Sequence, residues 1–477
     1  MLKLANVFAV CLFTIGVMFY LFFFQRPETS GIESRTLDKF PEFTFEDLWS
    51  GKYTKGISDW FTDTTPGRDD WKRVKIDFES NFGFTPSDEI VIGSPTDTTS
   101  EGSRPSIPPI DDTSSNDTSS TDTDVASSVS QNSNSESASS QTEESTNPQE
   151  VDVGANGILY VGKGDTMRAI EPFGGVYENG AKYASYLIKY REQLGNDVNI
   201  YSFIIPTAAA YYLPEQYKAQ YGGNQTDKIA YIKDCLDQYA SDKGVKEINS
   251  IDVYNSMLPH KDEPIYYKTE HHWTPLGAYY AARELASTAE LSFMDLSEYR
   301  VNGKYDENGN PLPFLGSLYG KTQTALLGNS PDEFIYYEYP LPYTMKMYSY
   351  NYQTLQREKD SCFMYVSDSN VSSWYMIFMD GDNYSIKIEN PNVKNGRVCV
   401  VFKDSFGNAL VPMMLSSFET IYAIDLRYFP INAIDFINAV DATDVVFSLC
   451  AFTPLGSNLK YVESIRTQNQ GAQFVAP

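Results

Sequence analysis

Apolar positions along the chain follow two periods, and together they predict a mixed α/β fold. Continuous apolar runs, which are typical of buried parallel strands, lie at residues 198–206 and 396–402. Amphipathic stretches that predict helices lie at residues 177–194, 227–242 and 274–287. Because such strands and helices alternate along the chain, we expect a mostly parallel sheet with helices packed against it.

The pattern changes over residues 290–395, which contain short β-like runs rich in tyrosine. Examples are residues 314–321, 334–337 and 374–378. These runs predict a β-rich insertion, or a cap, on the α/β domain.

An apolar run over residues 4–24 has about the length that spans a bilayer. Lys3 precedes it, and residues 22–26 offer no small-residue site for a signal peptidase. We therefore expect residues 1–29 to be an uncleaved, single-pass anchor in the cell membrane. The bulk of the chain would then be extracytoplasmic.

A polar segment, residues 94–150, separates two parts of the chain that have folded character. It consists mostly of Ser, Thr, Asn, Asp and Glu, and Arg104 is its only cation. Such a segment cannot bury enough apolar surface to offset its ordering entropy, so we expect a disordered acidic insertion. Because it is internal, residues 30–93, with a predicted helix at 68–82, should pack against a catalytic domain at residues 151–477.

Composition excludes some classes of function. The formal net charge of −26 over 477 residues argues against nucleic-acid binding, which needs a basic face. The 35 Tyr and 28 Phe residues would suit a sugar- or peptide-binding surface, but a well-packed mixed fold uses them as readily. None of the cysteines has C-x-x-C spacing, so we expect them to be free and mostly buried. They are Cys11, Cys235, Cys362, Cys399 and Cys450.

Two of the three histidines, His271 and His272, are adjacent in the chain. They are the obvious source of an imidazole for acid–base chemistry near neutral pH. Thr274 and Pro275 follow, and they predict an N-cap and the first residue of a helix. The histidines should therefore lie just before that helix.

Residues 270–273 are expected to be extended, and in an extended chain side chains two apart share a face. Glu270 and His272 would then point the same way, and His271 the other. A carboxylate beside an imidazole forms a base and its orienting group, which is two-thirds of a hydrolase-type triad.

The third member of a triad is suggested by Ser405. It follows the predicted strand at 396–402 and precedes a predicted helix at 409–415. A serine at such a turn is well placed for a nucleophile, with its own amide and the next ones directed at an oxyanion. The alternative is that Asp404 or Ser405 is simply an N-cap.

The motif Glu270-His271-His272-Trp273-Thr274 resembles the Asp-His-His-Trp signature of the DHHW protein family. Residues 314–317, 403–405 and 425–428 also resemble this family, and the likeness covers most of residues 30–93 and 157–460. The family is similar to the alginate O-acetylation proteins. The resemblance implies an SGNH-hydrolase-like three-layer fold in which the triad occurs in permuted chain order.

Position by position, the resemblance implies Ser405 as nucleophile, His272 as general base and Glu270 in the place of the usual aspartate. Glutamate is a departure from the family pattern. Ser-His-Glu triads exist, but the extra methylene changes the geometry that the site must accommodate. His271 would then be a structural residue beside the site.

Three further residues, Tyr267, Arg427 and Asn408, are candidates for substrate binding. For Arg427 the alternative is a structural ion pair with Asp425 or another carboxylate. For Asn408 the alternative is a cap or loop role. Neither a metal nor a cofactor is expected, because adjacent histidines in a strand point apart and their spacing lacks a metal-site pattern.

These features predict a serine-dependent O-acetyltransferase or acetyl esterase acting on a cell-surface polysaccharide. The resemblance favours the transferase, and it implies a membrane-bound acyltransferase partner that supplies the acyl donor. The alternative is a non-catalytic polysaccharide-binding or assembly protein of the cell envelope. A distance of about 3.5 Å or less between His272 and Ser405 would favour the enzyme.

Overall fold

The computed structural model describes parts of residues 26–66, residues 104–110 and 151–153, and residues 157–471 apart from 369–370 and 383. The predicted membrane anchor and the predicted helix at 68–82 lie outside the described residues. Within the described part of the chain, no helix has both the length and the hydrophobicity needed to cross a bilayer.

The described strands are numbered β1–β17 in chain order. They are β1 Thr29–Ser30, β2 Arg35–Thr36, β3 Val151–Val153, β4 Leu159–Val161, β5 Arg168–Ile170, β6 Asn199–Ile205, β7 Asn249–Ser250, β8 Arg300–Gly303, β9 Pro313–Phe314, β10 Asp332–Glu333, β11 Ile335–Glu338, β12 Thr344–Tyr348, β13 Leu355–Lys359, β14 Ser385–Glu389, β15 Val398–Lys403, β16 Thr420–Asp425 and β17 Asp444–Cys450.

The described α-helices are numbered α1–α13. They are α1 Lys52–Asp63, α2 Tyr177–Leu194, α3 Ala208–Tyr212, α4 Glu215–Tyr217, α5 Gln225–Lys243, α6 Val253–Met257, α7 Pro275–Thr288, α8 Ser317–Thr322, α9 Ala325–Gly328, α10 Gly407–Leu410, α11 Ala433–Ala439, α12 Phe452–Leu455 and α13 Lys460–Thr467. Short 3₁₀-helices lie at Gly164–Thr166, Leu258–His260, Leu296–Glu298, Val371–Ile377, Val411–Met414 and Ser457–Leu459, and a π-helical turn lies at Lys218–Gly222.

A central sheet of eight strands has the order β13-β12-β14-β16-β15-β17-β6-β7. From β16 to β7 every neighbouring pair is parallel, whereas β14, β12 and β13 add antiparallel pairs at one edge. The predicted mixed α/β fold with a mostly parallel sheet is confirmed. Three strands of the predicted β-rich insertion extend this sheet, so the insertion is only partly separate from it.

Both faces of the central sheet are covered, which explains the continuous apolar runs. Side chains alternate along a strand, so in β15 Cys399 and Val401 enter the core on one face, and Val400 and Phe402 enter the core on the other. Helix α7 covers the first face, and helices α2 and α5 cover the second. The described cysteines are free and buried, as predicted, and they are Cys235, Cys362, Cys399 and Cys450.

The helix boundaries follow local sequence signals. Helix α7 begins at Pro275, and the Thr274 hydroxyl accepts a hydrogen bond from the Gly277 amide at 3.2 Å, as the predicted cap requires. The predicted helix at 409–415 is instead a four-residue α-helix followed by a 3₁₀-helix. Pro412 has no amide hydrogen to donate, which explains why the α-helix does not continue.

One part of the predicted disordered insertion, residues 104–110, lies against helix α5. Ile107 and Ile110 pack on the core between α5 and the sheet. The Tyr231 hydroxyl of α5 donates a hydrogen bond to the Ser106 carbonyl at 3.4 Å. This short apolar segment, which we call the strap, is thus an exception to the polar character of the insertion.

The strap is also attached through Arg104, the one cation of the insertion. Its guanidinium forms an ion pair with Asp234, lies 3.7 Å from Asp227 and sits over the ring of Tyr231 at 5.3 Å. The side chain of Arg104 is 35% exposed, so this attachment is a modest one.

Replacing Arg104 with alanine should loosen the strap. An exposed ion pair contributes up to about 1 kcal/mol, so the open population should rise roughly fivefold. Limited proteolysis followed by mass spectrometry should then show faster cleavage within residues 104–110. Lys233→Ala, which removes an exposed ion pair elsewhere on α5, is the matched control. Equal cleavage of the wild type and Arg104→Ala would contradict this account of the attachment.

Candidate active site

Glu270, His272 and Ser405 meet beside the carboxyl end of β15. His272 Nε2 lies 2.8 Å from Ser405 Oγ, and His272 Nδ1 lies 2.7 Å from Glu270 Oε1. Ser405 follows β15 by two residues and is 133 residues from His272 in the chain. The structure therefore brings together the three residues that the sequence had selected as a triad.

The partners determine how the imidazole of His272 is protonated. A carboxylate can only accept, so the Nδ1 hydrogen of His272 is donated to Glu270. His272 Nε2 is then free to accept the hydroxyl hydrogen of Ser405. This is the arrangement of a base, its orienting carboxylate and a half-buried hydroxyl nucleophile.

The turn that carries Ser405 is held by Asp404. One carboxylate oxygen of Asp404 accepts from the Phe406 amide at 3.1 Å. The other accepts from the Cys450 amide at 2.8 Å and from the Thr453 hydroxyl at 2.9 Å, which ties the turn to the end of β17. Burial raises the pKa of Asp404, while Arg427 and these donors oppose that effect. Asp404 thus takes the turn-stabilising role, and the hydroxyl of Ser405 stays available to His272.

The backbone amides near Ser405 are not equally available to an oxyanion. The Phe406 amide donates to Asp404 Oδ1, and the Gly407 amide donates to the Asp404 carbonyl at 3.1 Å. The amide of Ser405 itself donates to no acceptor in the described part of the chain. Of these three amides, that of Ser405 is therefore the best candidate to donate to an oxyanion.

The carboxylate of Glu270 is 2% exposed and accepts hydrogen bonds from the backbone as well as from His272. The Ser317 amide donates to Oε2 at 2.5 Å, and the His271 amide donates to Oε1 at 3.1 Å. Burial alone would raise the pKa of Glu270. The charge of His271 and the hydrogen bonds from both imidazoles hold it well below its usual value.

Gly316 provides the space for a glutamate at position 270. A Cβ atom at Gly316 would lie 2.5 Å from the Cβ and 2.6 Å from Oε2 of Glu270. The Gly316 amide also donates to the Thr269 hydroxyl at 3.0 Å. The motif at residues 314–317 therefore forms the wall of the site, and the extra methylene of Glu270 is accommodated.

Sequence reasoning missed Asp332, which fixes the chain just before Glu270. Its carboxylate accepts from the Lys268 amide at 2.7 Å, and from the Thr269 amide and hydroxyl at 2.8 and 2.7 Å. Burial raises the pKa of Asp332, and these donors oppose that effect. In the sequence, Asp332 follows Ser330 and Pro331 and resembles an ordinary turn residue.

The prediction that His271 points away from the site is wrong. Residues 270–272 form a bend, and His271 Nδ1 lies 2.8 Å from Glu270 Oε1 and 2.7 Å from Ser317 Oγ. The two imidazole rings lie 3.7 Å apart. Although burial lowers the pKa of His271, the Glu270 carboxylate has the larger combined effect and raises it.

Aromatic rings enclose His272. The Tyr375 ring stacks on the imidazole at 3.8 Å and 4°, and the Phe406 ring lies 4.8 Å away. Trp273 donates from its indole nitrogen to the Phe406 carbonyl at 2.9 Å and so fixes that ring. Burial and the neighbouring charge of His271 lower the pKa of His272 to about 4, so the imidazole is neutral and able to act as a base near pH 7.

Glu270, His271 and His272 also place a carboxylate oxygen and two ring nitrogens within 4.8 Å of one another. The reason given for excluding a metal, that the two histidines diverge, therefore does not hold. Instead, Nδ1 of each histidine lies 2.7–2.8 Å from Glu270 Oε1. A cation would have to displace the protons that orient His272.

Two of the predicted substrate-binding residues are buried. Tyr267 is 2% exposed and packs against the rings of Phe314 and Phe334, so its side chain does not reach the surface. Asn408 is also 2% exposed, and its side-chain amide donates to Asp382 Oδ1 at 2.8 Å. Asn408 therefore supports Asp382 and does not reach the surface.

Arg427 forms the ion pair that was its structural alternative. Its guanidinium donates to Asp425 and, at 2.7 Å, to Asp382 Oδ2. Lys403 Nζ lies 3.5 Å from Asp382. Although burial raises the pKa of Asp382, the charges of Lys403 and Arg427 lower it to about 2. Arg427 is thus committed to two carboxylates, and the sequence did not identify Asp382 as its second partner.

Comparison with known proteins places this site in context. The profile of the DHHW protein family matches residues 33–424. A DHHW family protein from Eubacterium siraeum has a solved structure that is 36% identical, with 65% of this chain and 96% of that chain covered and a TM-score of 0.57.

Two more distant structures are also similar. Bacillus cereus PatB1, solved with a sulfonyl adduct, is 18% identical, with 64% of this chain and 99% of that chain covered and a TM-score of 0.49. The O-acetyltransferase domain of Pseudomonas putida AlgJ is 18% identical, with 67% of this chain and 99% of that chain covered and a TM-score of 0.36. A search of curated proteins found no match. Since the family profile covers well over half of the sequence, the chain belongs to the DHHW family.

Proposed function

We propose that this protein is a serine-dependent O-acetyltransferase, or an acetyl esterase, that acts on a cell-surface polysaccharide. The observation that carries the proposal is the hydrogen-bonded series from Ser405 through His272 to Glu270, at 2.8 and 2.7 Å. Glu270 and His272 both precede Ser405 in the chain, which is the permuted order of the SGNH-like proteins that this sequence resembles.

In the proposed first step, Ser405 Oγ attacks the acyl carbonyl while its proton passes to His272 Nε2. Glu270 stabilises the imidazolium that forms, and the Ser405 amide faces the developing oxyanion. When the tetrahedral intermediate collapses, His272 returns the proton to the leaving alcohol and Ser405 carries the acyl group.

In the second step, a hydroxyl group attacks the acyl-Ser405 ester and gives its proton to His272, and His272 passes that proton to Ser405 Oγ as the acyl–serine bond breaks. If the hydroxyl belongs to a sugar, the enzyme is a transferase, and if it belongs to water, the enzyme is an esterase. The resemblance favours the transferase. An acyl donor supplied by a membrane-bound acyltransferase, and a membrane anchor that keeps the domain extracytoplasmic, are parts of the same proposal.

The alternative was a non-catalytic polysaccharide-binding or assembly protein. It would have been favoured by a Ser405 distant from His272, or by a site filled with other side chains. The measured distance of 2.8 Å and the partial exposure of Ser405 favour the enzyme instead.

Ser405→Ala should remove the turnover of an acetyl ester. Loss of a triad nucleophile lowers kcat by roughly 10³-fold or more, because only transition-state binding by the rest of the site remains. Turnover of p-nitrophenyl acetate by the purified protein measures this directly. Ser241→Ala, at an exposed position on α5, is the matched control and should keep wild-type turnover. Unchanged turnover in Ser405→Ala would refute the assigned nucleophile.

The acid limb of the pH profile should report the pKa of His272. Only neutral His272 accepts a proton, and its pKa is lowered to about 4, so kcat/KM should stay level down to about pH 5 and fall below that. His271→Gln removes the neighbouring positive charge, which should raise the pKa of His272 and move the acid limb to higher pH.

His260→Gln is the control for this pH experiment, since the half-buried His260 pairs with Glu263 and stacks on Tyr280 rather than on a triad residue. Its acid limb should coincide with that of the wild type. An acid limb that His271→Gln leaves in place would show that the two imidazoles are not electrostatically coupled.

A further inference from the structure

A cavity of about 290 Å³ opens between the strand pair β8–β11 and residues 361–365. Its lining includes Tyr336 and Phe363, whose rings pack at 4.7 Å, and Tyr365, which is 81% exposed. An exposed tyrosine at the mouth of an aromatic-lined cavity presents an apolar ring face together with a hydroxyl group. These are the surfaces that amphipathic, ring-shaped ligands require.

The carboxylate of Glu338 lies in the same cavity and is held in place by its neighbours. The Asn302 amide donates to it at 3.0 Å, and the Ser361 hydroxyl at 3.5 Å. A carboxylate can accept about four hydrogen bonds, so the two from Asn302 and Ser361 leave room for further donors. Hydroxyl groups of a ligand would supply them.

Lys304 also lines the cavity, but its ammonium group is already hydrogen-bonded to protein acceptors. Its Nζ donates to the Val366 carbonyl at 2.5 Å and to Asp368 at 2.8 Å, and so holds the loop that carries Tyr365. The lining therefore offers a carboxylate but no uncommitted cation among the described residues. With a formal net charge of −26 for the chain, this disfavours an acidic ligand and fits a neutral one.

A row of rings connects this cavity to the candidate active site. Tyr375, which stacks on His272, lies 5.2 Å from Phe378. Phe378 in turn lies 6.0 Å from Phe363 and 6.2 Å from Tyr336, both in the cavity lining. These ring-to-ring steps place the cavity near the active site, separated from it by the buried rings of Tyr375 and Phe378.

We propose that this cavity binds a neutral sugar unit of the polysaccharide substrate, with Tyr365 stacking on the pyranose ring and Glu338 accepting from its hydroxyl groups. The inference rests on the proposed function, because it supposes that the acceptor at Ser405 is a polysaccharide. It adds that the substrate is uncharged and is held at a second point beyond helix 371–377.

The test compares the wild type with Tyr365→Ala and Glu338→Gln. The probes are cellohexaose and hexa-N-acetylchitohexaose as neutral sugars and hexagalacturonate as an acidic sugar, with binding followed by tryptophan fluorescence, since Trp374 lies beside Lys304. At least one neutral probe should bind saturably, and each substitution should weaken it by about tenfold. The acidic probe should bind less tightly than the neutral one.

Leu355→Ala, which removes a side chain of 49% exposure on edge strand β13, is the control and should bind as the wild type does. All these variants should turn over p-nitrophenyl acetate normally, because the cavity does not touch the reacting atoms. No neutral binding by the folded wild type, unchanged binding by Tyr365→Ala, or tighter binding of the acidic probe would overturn the subsite. If the wild type binds sugar but does not turn over the ester, the proposed chemistry fails while the subsite stands.

Discussion

The carboxylate of Glu270 is the group on which the geometry of the site depends. It orients His272 through Nδ1, raises the pKa of His271 and accepts from the amide of Ser317. A carboxylate that is 2% exposed is costly to bury unless donors surround it, and here they do. Gly316 makes this possible, because any larger residue there would occupy the space of the glutamate side chain.

Buried carboxylates also hold each of the two chain segments that form the site. Asp332 accepts from two backbone amides ahead of Glu270, and Asp404 accepts from the Phe406 amide in the Ser405 turn and from the Cys450 amide at the end of β17. Buried carboxylates that accept from the backbone hold loops in one geometry, because a charge-assisted hydrogen bond is costly to break in a dry environment. The parallel strands place Ser405 at the carboxyl end of the sheet. The carboxylates of Asp332 and Asp404 then fix its position relative to His272.

The sequence was most informative where a local pattern decides the structure. The apolar run at residues 396–402 and the Thr274-Pro275 cap predicted a strand and a helix start. The positions of Ser405 and His272 beside these elements then predicted a catalytic pair.

The sequence was least informative where contacts between distant segments decide. An extended chain would have turned His271 away, but residues 268–272 bend, with the Thr269 amide donating to Asp332 and His271 hydrogen-bonded to Ser317. The burial of Tyr267, a candidate for substrate binding, likewise depends on aromatic packing with residues about fifty positions away. The strap could not be predicted from composition for the same reason. One arginine and two isoleucines in a polar segment do not indicate order until their contacts with helix α5 and the core are known.

The most direct measurement is the labelling of the full-length protein with a serine-reactive sulfonyl fluoride, with the modified residue located by mass spectrometry. Wild type, Ser405→Ala and His272→Ala would be compared after each is shown to be folded. The account predicts modification at Ser405 in the wild type and its loss in both variants, because the hydroxyl is activated by the imidazole. A folded wild type that stays unlabelled, or labelling of Ser405 that does not need His272, would contradict the claim that these residues form a catalytic unit.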